Sequence, residues 1–328
     1  MHANNGPTEN RVARAIQRVD AELKQIAPNL TLLYEPDAGG DELLAMASDN
    51  IDECCKPHIA NHPLHAAAFD ARGYVLVSCY NVLPIAGGAS TLTRINLKEV
   101  ALRSSDEDDF FARQLPRYLD LNFRLTQSRI DYLFNESNFF QSFLVEEGWI
   151  EADRFTAMFG VFAMAEAVNT LQEKETRPGR YGFDEEANAL GHRISAVLAE
   201  AVESQPLNNA WRGRALLHSQ AGISDDVEAT PGVRIPYGTE PDPVTHIEAL
   251  SPHHQYYPSG ISEILTVDES VRNNPEAIQQ LCKGAFARGF REFTVNVTSN
   301  DLVRVTGYMV RLSDIKRFNE QQGSRTNT

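Results

Sequence analysis

Gly307 stands near the C-terminus of the chain, in a stretch that otherwise favours a β-strand. Residues 293–297 alternate in strand fashion, and residues 298–301 have the composition of a turn. Glycine at such a place is usually required because the backbone has a positive φ or because another group approaches the backbone closely. A glycine α-carbon can also lose a hydrogen atom and delocalise the unpaired electron between its amide nitrogen and its carbonyl. The pattern therefore allows a turn glycine or a radical store.

The cysteines are the second group of residues that could do chemistry. Cys79 ends the apolar stretch 73–79, predicted to be a buried strand of the parallel-sheet type, and a Gly-rich loop follows it. A thiol on a loop after a strand is well placed for catalysis, although many such cysteines are only small buried hydrophobes. Cys54 and Cys55 are adjacent, which is poor geometry for a structural disulfide, and Cys282 fits the apolar face of a helix. No cysteine spacing matches a zinc site.

Three histidines, His58, His62 and His65, fall in a stretch that its prolines predict to be a loop. They could ligate a metal ion. No carboxylate or cysteine of the sequence is placed to complete such a site, so loop or core histidines are the favoured interpretation, and no metal is expected.

Composition excludes some functions. The 328 residues are 42% hydrophobic and carry a net charge of −15, which argues against a nucleic acid polymer or an acidic membrane surface as partner. No apolar run is long enough to span a bilayer. The N-terminal residues lack the features of a signal peptide, so a cytoplasmic location is expected.

The remaining pattern indicates a mixed α/β protein. Apolar periodicity predicts a helix from Thr8, and residues 106–174 are predicted to be helical. Residues 206–260, rich in proline and glycine, are interpreted as ordered loops that wrap a core. Strands are predicted over 262–267 and 291–297.

Three segments together resemble the glycyl radical enzymes. The run Arg304-Val305-Thr306-Gly307-Tyr308 is similar to their R-[IVT]-[CSA]-G-Y signature, with a departure at Thr306. Cys79, its Gly-rich loop and residues 94–98 resemble the family's cysteine loop and the helix after it. Segments 160–169, which includes Glu166, and 182–186 resemble helices of the family. The closest resemblance is to the small YjjI-type proteins.

The resemblance implies an α/β fold, the C-terminal portion of a ten-stranded α/β barrel with a glycine-radical loop near its C-terminus. It divides the chain into a partial barrel with the cysteine loop and a helical region, 1–260, and a glycine radical domain, 261–328. Only 78 residues precede Cys79. We therefore expect a portion of a larger protein or one piece of a split enzyme, completed by an N-terminal barrel half or a homodimer partner.

The resemblance also implies a reaction. Gly307 would store the radical and pass it to Cys79, whose thiyl would abstract hydrogen from a small organic substrate under anaerobic conditions. Arg304, Tyr308, Asn81 and Glu166 are candidate supporting residues. Asn81 stands where eliminase-type members carry a glutamate, so an acid–base role is not carried over to it. Cys54 and Cys55 stay an alternative thiyl site, because pyruvate formate-lyase has adjacent cysteines.

The implied partner is a radical-SAM activating enzyme, which uses S-adenosylmethionine and an iron–sulfur cluster; no stably bound cofactor is expected. Two other functions are considered. One is a radical-bearing spare-part subunit that completes a partner barrel without a substrate site of its own. The other resembles anaerobic ribonucleotide reduction, which is disfavoured because the sequence has neither a four-cysteine zinc module nor a preceding nucleotide-binding domain.

Overall fold

Strands and helices alternate along the protein in a computed structural model that describes residues 1, 6–36, 40–77, 80–177, 179–219, 229–274, 276–305 and 309–322. The strands of these ranges are β1 (Thr31–Tyr34), β2 (His58–Asn61), β3 (Tyr74–Leu76), β4 (Val82–Pro84), β5 (Gly88–Asn96), β6 (Phe155–Phe162), β7 (Ala215–Ser219), β8 (Ile264–Val267), β9 (Glu292–Val297), β10 (Leu302–Arg304) and β11 (Met309–Arg311). The α-helices are α1 (Pro7–Leu23), α2 (Gly40–Cys54), α3 (His62–Ala68), α4 (Leu97–Arg103), α5 (Glu107–Asp109), α6 (Leu115–Asp131), α7 (Phe143–Glu146), α8 (Met164–Lys174), α9 (Glu185–Ser204), α10 (Pro243–Leu250), α11 (Ala277–Ala287) and α12 (Leu312–Gln322).

Two sheets, β5-β6-β7 and β1-β2-β9-β8, organise the described residues. β5, β6 and β7 are parallel neighbours, and β8 pairs in parallel with β9. A parallel bridge between Ser219 and Ile261 joins β7 to the segment before β8. β9 then pairs antiparallel with β2, which pairs in parallel with β1. Five parallel strands, β5 to β9, therefore run opposite to β1 and β2.

β6 is the largest difference from the sequence-based prediction. Residues 106–174 were expected to be helical, and α6 and α8 confirm the prediction for much of that range. Phe155–Phe162 is instead a strand in which every residue is buried, at the centre of the β5-β6-β7 sheet. A short apolar run has no periodicity that separates a strand covered on both faces from a buried helix, so the prediction was wrong there.

Strands and helices were also missed in the stretch interpreted as loops. Residues 206–260 contain β7 and α10. β7 is a strand of only five residues, all of them buried. It is stabilised by pairing with β6, a long-range contact that local composition does not predict.

Helix α1 confirms the predicted N-terminal helix, but much of its apolar stripe faces outward. Val12, Val19 and Leu23 are 53%, 51% and 57% exposed. The buried side of the helix carries Asp20, whose Oδ1 lies 2.5 Å from the Nζ of buried Lys56. A buried ammonium group needs a charged partner, and this ion pair lies on the inward face of α1. Of the helices in the described ranges, none is long and apolar enough to cross a membrane.

Candidate functional site

The segment that carries Cys79 is a β-hairpin, although Cys79 itself lies outside the described residues. β3 pairs antiparallel with β4, and β3 spans only Tyr74–Leu76. The predicted buried strand of parallel type over 73–79 was therefore wrong. β3 and β4 form a sheet of their own, so one face of β3 stays open and Val75 is 42% exposed.

The hairpin is fixed to the main sheet just after Cys79. Tyr80 is 2% exposed and has a φ of 59°. The Val82 amide donates to the Ser259 carbonyl at 3.0 Å, and the Ser259 hydroxyl donates to the Val82 carbonyl at 3.1 Å. The Tyr80 carbonyl lies against Gly260, where a Cβ would come within 1.7 Å of its oxygen. These contacts fix the backbone next to Cys79 against the segment between β7 and β8.

The segment that carries Gly307 is the β10–β11 hairpin, and residues 306–308, Gly307 and Tyr308 among them, lie outside the described residues. The end of β10 that adjoins these residues is held by buried polar groups. The Asn296 side chain donates to the Arg304 carbonyl at 2.7 Å and accepts from the Arg304 amide at 2.9 Å. The Arg234 guanidinium donates to the Val305 carbonyl at 3.1 Å. The strand and turn predicted before Gly307 are confirmed as β9 and its continuation, but Arg234 was not identified from the sequence, because it lies in the stretch interpreted only as loops.

Replacing Asn296 with alanine is expected to loosen the β10–β11 hairpin. The change leaves the buried amide and carbonyl of Arg304 without their partners, which costs about 2 kcal/mol and speeds local opening roughly thirtyfold. Amide hydrogen exchange at residues 302–305 and 309–311 measures the effect. The exposed Asn274→Ala variant is the control, and equal exchange rates in the two variants would contradict the assignment.

The two hairpins meet through the residues beside Cys79 and Gly307. The Arg304 guanidinium carbon lies 5.4 Å from the centroid of the Tyr80 ring, and Arg304 is 1% exposed. Both side chains line a cavity of about 190 Å³. Its lining also includes Thr31, His58 and Val77. The cavity therefore adjoins the described neighbours of both predicted radical residues, and it has room for a small molecule.

The Cys54–Cys55 pair lies beneath the β10–β11 hairpin. Both thiols are fully buried in one apolar cluster with Leu302, Val303 and Met309. The Cys55 sulfur accepts from the amide of Val297 and from the side chain of Asn300, each at 3.4 Å. Burial raises the pKa of Cys54 to about 11 and also raises the pKa of Cys55, so both stay protonated thiols near neutral pH. The pair adjoins the base of the hairpin, and its role as an alternative thiyl site stays a prediction.

The other supporting candidates lie at separate places. The Glu166 carboxylate accepts from the Thr230 amide at 2.9 Å and from the Thr230 hydroxyl at 2.5 Å, so it anchors that loop to α8. The Asn81 carbonyl accepts from the Val77 amide at 3.0 Å, which closes the turn that contains Cys79. The buried side-chain Oδ1 of Asn81 has no partner in the described part of the chain. Cys282 is fully buried in α11, as the sequence predicted.

The three predicted loop histidines belong to regular structure. His58 opens β2, whereas His62 and His65 lie in α3. Within the described ranges, no group of three or more histidine, cysteine, aspartate or glutamate side chains has the arrangement of a metal site. The carboxyl of Glu292, the first residue of β9, lies within 4 Å of both His58 and His65. Glu292 was not identified from the sequence, because Glu292, Thr294 and Asn296 alternate with apolar residues and resemble a solvent-exposed strand face; every residue of β9 is buried.

Comparisons with known proteins identify the family of the chain. The family model described as "Glycyl radical enzyme YjjI-like" matches residues 1–328. The "Uncharacterized protein YjjI" of Escherichia coli strain K12 is 56% identical over 329 residues, which cover 100% of this chain and 64% of that protein. An "Uncharacterized protein" of Haemophilus influenzae is 32% identical over 323 residues, 97% of this chain and 63% of that protein. The chain thus spans about two thirds of the length of these relatives.

Solved structures show the same fold at low sequence identity. A glycyl radical enzyme from Archaeoglobus fulgidus superimposes with a TM-score of 0.73 at 15% identity, covering 94% of this chain and 53% of that one. An anaerobic ribonucleotide reductase gives a TM-score of 0.71 at 13% identity, covering 96% and 56%. A B12-independent glycerol dehydratase from Clostridium butyricum gives 0.70 at 14% identity, covering 92% and 52%. The chain has the α/β barrel architecture of these proteins over about half of their length.

Proposed function

Since the chain belongs to the family of YjjI-like glycyl radical enzymes, we propose that it stores a radical on Gly307 and passes it to Cys79. The resulting thiyl radical abstracts a hydrogen atom from a small organic substrate under anaerobic conditions. The observation that carries the proposal is the cavity between the two hairpins. Tyr80, the residue after Cys79, and Arg304, three residues before Gly307, both line it.

Each residue type meets a chemical requirement. A glycyl radical takes the hydrogen atom of the Cys79 thiol, which leaves a thiyl and an intact glycine. The thiyl then takes a hydrogen atom from a substrate C–H bond, and the product radical regains a hydrogen atom from the same thiol at the end of the turnover. Hydrogen atoms and electrons balance within the cycle. Burial of Tyr80 and Arg304, at 2% and 1% exposure, supports a site that excludes water and oxygen.

The radical is installed on Gly307 by a separate radical-SAM activating enzyme, which removes one α-hydrogen. That enzyme needs access to the glycine, so the β10–β11 hairpin has to open locally. Asn296 and Arg234 bind the end of β10 next to Gly307, so their hydrogen bonds oppose this opening.

Electron paramagnetic resonance tests the proposal directly. After anaerobic activation the wild-type protein is expected to give a doublet, because the one remaining α-hydrogen of the glycine splits the signal. The Gly307→Ala variant should lose the signal, whereas Gly284→Ala, at an exposed helical glycine with open space around it, should keep it. A signal that survives in Gly307→Ala, or none from an activating enzyme that is active on its own partner, would exclude Gly307 as the radical store.

A second function is a radical-bearing subunit that completes a partner barrel without its own substrate site. The observation in its favour is that the β3–β4 hairpin leaves one face open, with Val75 42% exposed, where a partner could pack. Cys79→Ala separates the two functions. Loss of turnover with an intact glycyl radical signal supports hydrogen abstraction by Cys79, and unchanged turnover in a reconstituted system supports the subunit role. Cys54→Ala and Cys55→Ala, tested in parallel, decide whether the adjacent pair carries the thiyl instead.

A further inference from the structure

Glu292, His58 and His65 form a buried cluster, here called the acid–histidine cluster. The Glu292 Oε2 lies 3.5 Å from the Nε2 of His58 and 3.8 Å from the Nε2 of His65. The three residues are 0%, 2% and 0% exposed, and these three atoms have no hydrogen-bond partner in the described part of the chain. Both distances are longer than an ordinary hydrogen bond of about 2.9 Å. Buried polar atoms rarely stay without a hydrogen bond, so a cluster of three such atoms calls for a functional explanation.

The cluster is electrically neutral near pH 7. Burial lowers the pKa of both histidines well below its ordinary value. Burial raises the pKa of Glu292 to about 8. The Ile261 amide donates to the other carboxyl oxygen, Oε1, at 2.8 Å, so Oε2 is the oxygen that faces the histidines. A carboxylic acid with a proton to give therefore stands beside imidazoles that each have one donor and one acceptor nitrogen.

His58 connects this acid to the cavity. Its ring lies 4.2 Å from the ring of Tyr80, and both side chains line the cavity. Its Nδ1 lies 3.4 Å from the hydroxyl of Thr31, which also lines the cavity, whereas its Nε2 faces Glu292. One edge of the imidazole therefore faces the cavity side, and the other faces a buried proton donor.

We propose that His58 and Glu292 are the proton-transfer pair of this site, and that the substrate presents a hydroxyl or carbonyl oxygen to His58. The proposal rests on the proposed function, since that oxygen would adjoin the carbon from which the thiyl takes hydrogen. His58 is the catalytic residue of the pair, because it would touch the substrate. Glu292 acts through His58, and His65 positions the Glu292 carboxyl from α3.

The proton transfer balances within the pair. Glu292 gives its proton to His58 Nε2 while the proton on His58 Nδ1 passes to the substrate oxygen. Glu292 becomes a carboxylate, His58 stays neutral with its proton on the other nitrogen, and the substrate gains one proton. No electron moves in this step. The reverse transfer restores both side chains, which suits radical chemistry because a radical carbon changes the acidity of an adjoining hydroxyl.

Binding of two probes to the non-activated protein, 2-propanol for the hydroxyl and acetone for the carbonyl, tests the proposal. When Glu292 loses its proton, with its pKa of about 8, His58 keeps a proton on Nε2 and none on Nδ1. Acetone can only accept a hydrogen bond, so its affinity should fall about tenfold from pH 7 to pH 9, whereas 2-propanol can donate one and should keep its affinity. The groups that face Glu292 from the surrounding elements and from its own strand are His58, His65, Tyr74, Tyr80 and Arg291. Burial lowers the pKa of the two histidines and raises the pKa of the two tyrosines, and Arg291 stays charged, so none of them titrates near pH 8.

Variants distinguish this pair from a structural cluster. Glu292→Gln stays neutral and should bind both probes with no change between pH 7 and pH 9. Glu263→Gln is the matched control, because Glu263 is equally buried and contacts His246 at 3.1 Å outside the cavity lining; it should keep the tenfold fall. The proposal is overturned if the wild-type protein does not bind the probes, or if its affinity for acetone does not depend on pH. An equal fall of affinity in Glu292→Gln would also overturn it. The first two outcomes need only the wild-type protein.

The paramagnetic signal separates failure of this inference from failure of the proposed function. Wild type and Glu292→Gln should give the same yield of glycyl radical after activation. If both give the doublet but the binding result is negative, only the acid–histidine pair is rejected. If neither gives it while binding behaves as expected, the radical function is rejected and the oxygen-binding site stands.

Discussion

Replacing Gly260 with alanine is expected to lower the free energy of unfolding by roughly 4 kcal/mol or more, at the upper end of single-residue effects. Gly260 has a φ of +114°, a conformation that side chains rarely adopt. An added Cβ would also lie 1.7 Å from the Tyr80 carbonyl oxygen and 2.9 Å from its carbon. Backbone has to move to relieve such a contact, because no flexible side chain is available to give way.

The movement would reach the site. Tyr80 follows Cys79, lines the cavity and contacts both His58 and Arg304, so the Gly260→Ala change displaces the cysteine hairpin from the glycine hairpin. Urea unfolding measures the loss of stability, and the radical-dependent turnover should fall further than the folded fraction. Gly289→Ala is the matched control, with a φ of +93° but nothing within 4 Å. It should cost only the backbone strain, about 1 kcal/mol, and equal losses in the two variants would show that the Tyr80 contact is unimportant.

Acidification from pH 7 to pH 4 is expected to destabilise the protein strongly, because buried histidines stay neutral in the fold. Burial lowers the pKa of His218 to about 4 and that of His253 to about 3. Below pH 6.5 these two histidines bind protons in the unfolded chain but stay neutral in the folded protein. Stability is therefore complete above pH 6.5 and falls toward pH 4, by about 3 kcal/mol for each of the two histidines.

Other groups modify this slope in known directions. Burial also lowers the pKa of His58, His65 and His254, which adds to the loss in acid. Glu292 acts in the opposite sense. Because its pKa is raised to about 8, its contribution to the free energy of unfolding increases as the pH falls from 8 toward 4.5. Between pH 7 and pH 4.5 this contribution offsets about 3 kcal/mol of the loss caused by the histidines. The sum is a net loss of stability in acid and a stability maximum near pH 7.

Urea unfolding at half-unit steps of pH checks this profile. In the His253→Gln variant one histidine proton is no longer taken up on unfolding, so the slope between pH 6 and pH 4.5 should flatten by about 1.4 kcal/mol per pH unit. In the Glu292→Gln variant the opposing contribution of Glu292 is absent, so the free energy of unfolding should fall more steeply with decreasing pH. A wild-type protein of constant stability between pH 6.5 and pH 5 would show that the buried histidines accept protons in the folded state.

Much of the local structure could be predicted from the sequence. Periodicity determines α1, α9 and α11, with Asp184 capping α9, and alternation determines β8 and β9, because these signals act within a few residues of the chain. The family also follows from the sequence, since the motif around Gly307 and the cysteine segment depend on residue type and order. The roles of Gly307 and Cys79 are proposals that rest on this chemistry.

The tertiary structure alone decided which side chains share a site. β6 could not be separated from a helix by its apolar run, and only its place between β5 and β7 makes it a strand. Glu292 lies more than two hundred residues from His58 along the chain, and antiparallel pairing of β9 with β2 brings them together. Residue types and spacings thus determined the family to which this protein belongs. Long-range strand pairing, which no local pattern encodes, decided which buried acid and histidine stand beside the cavity.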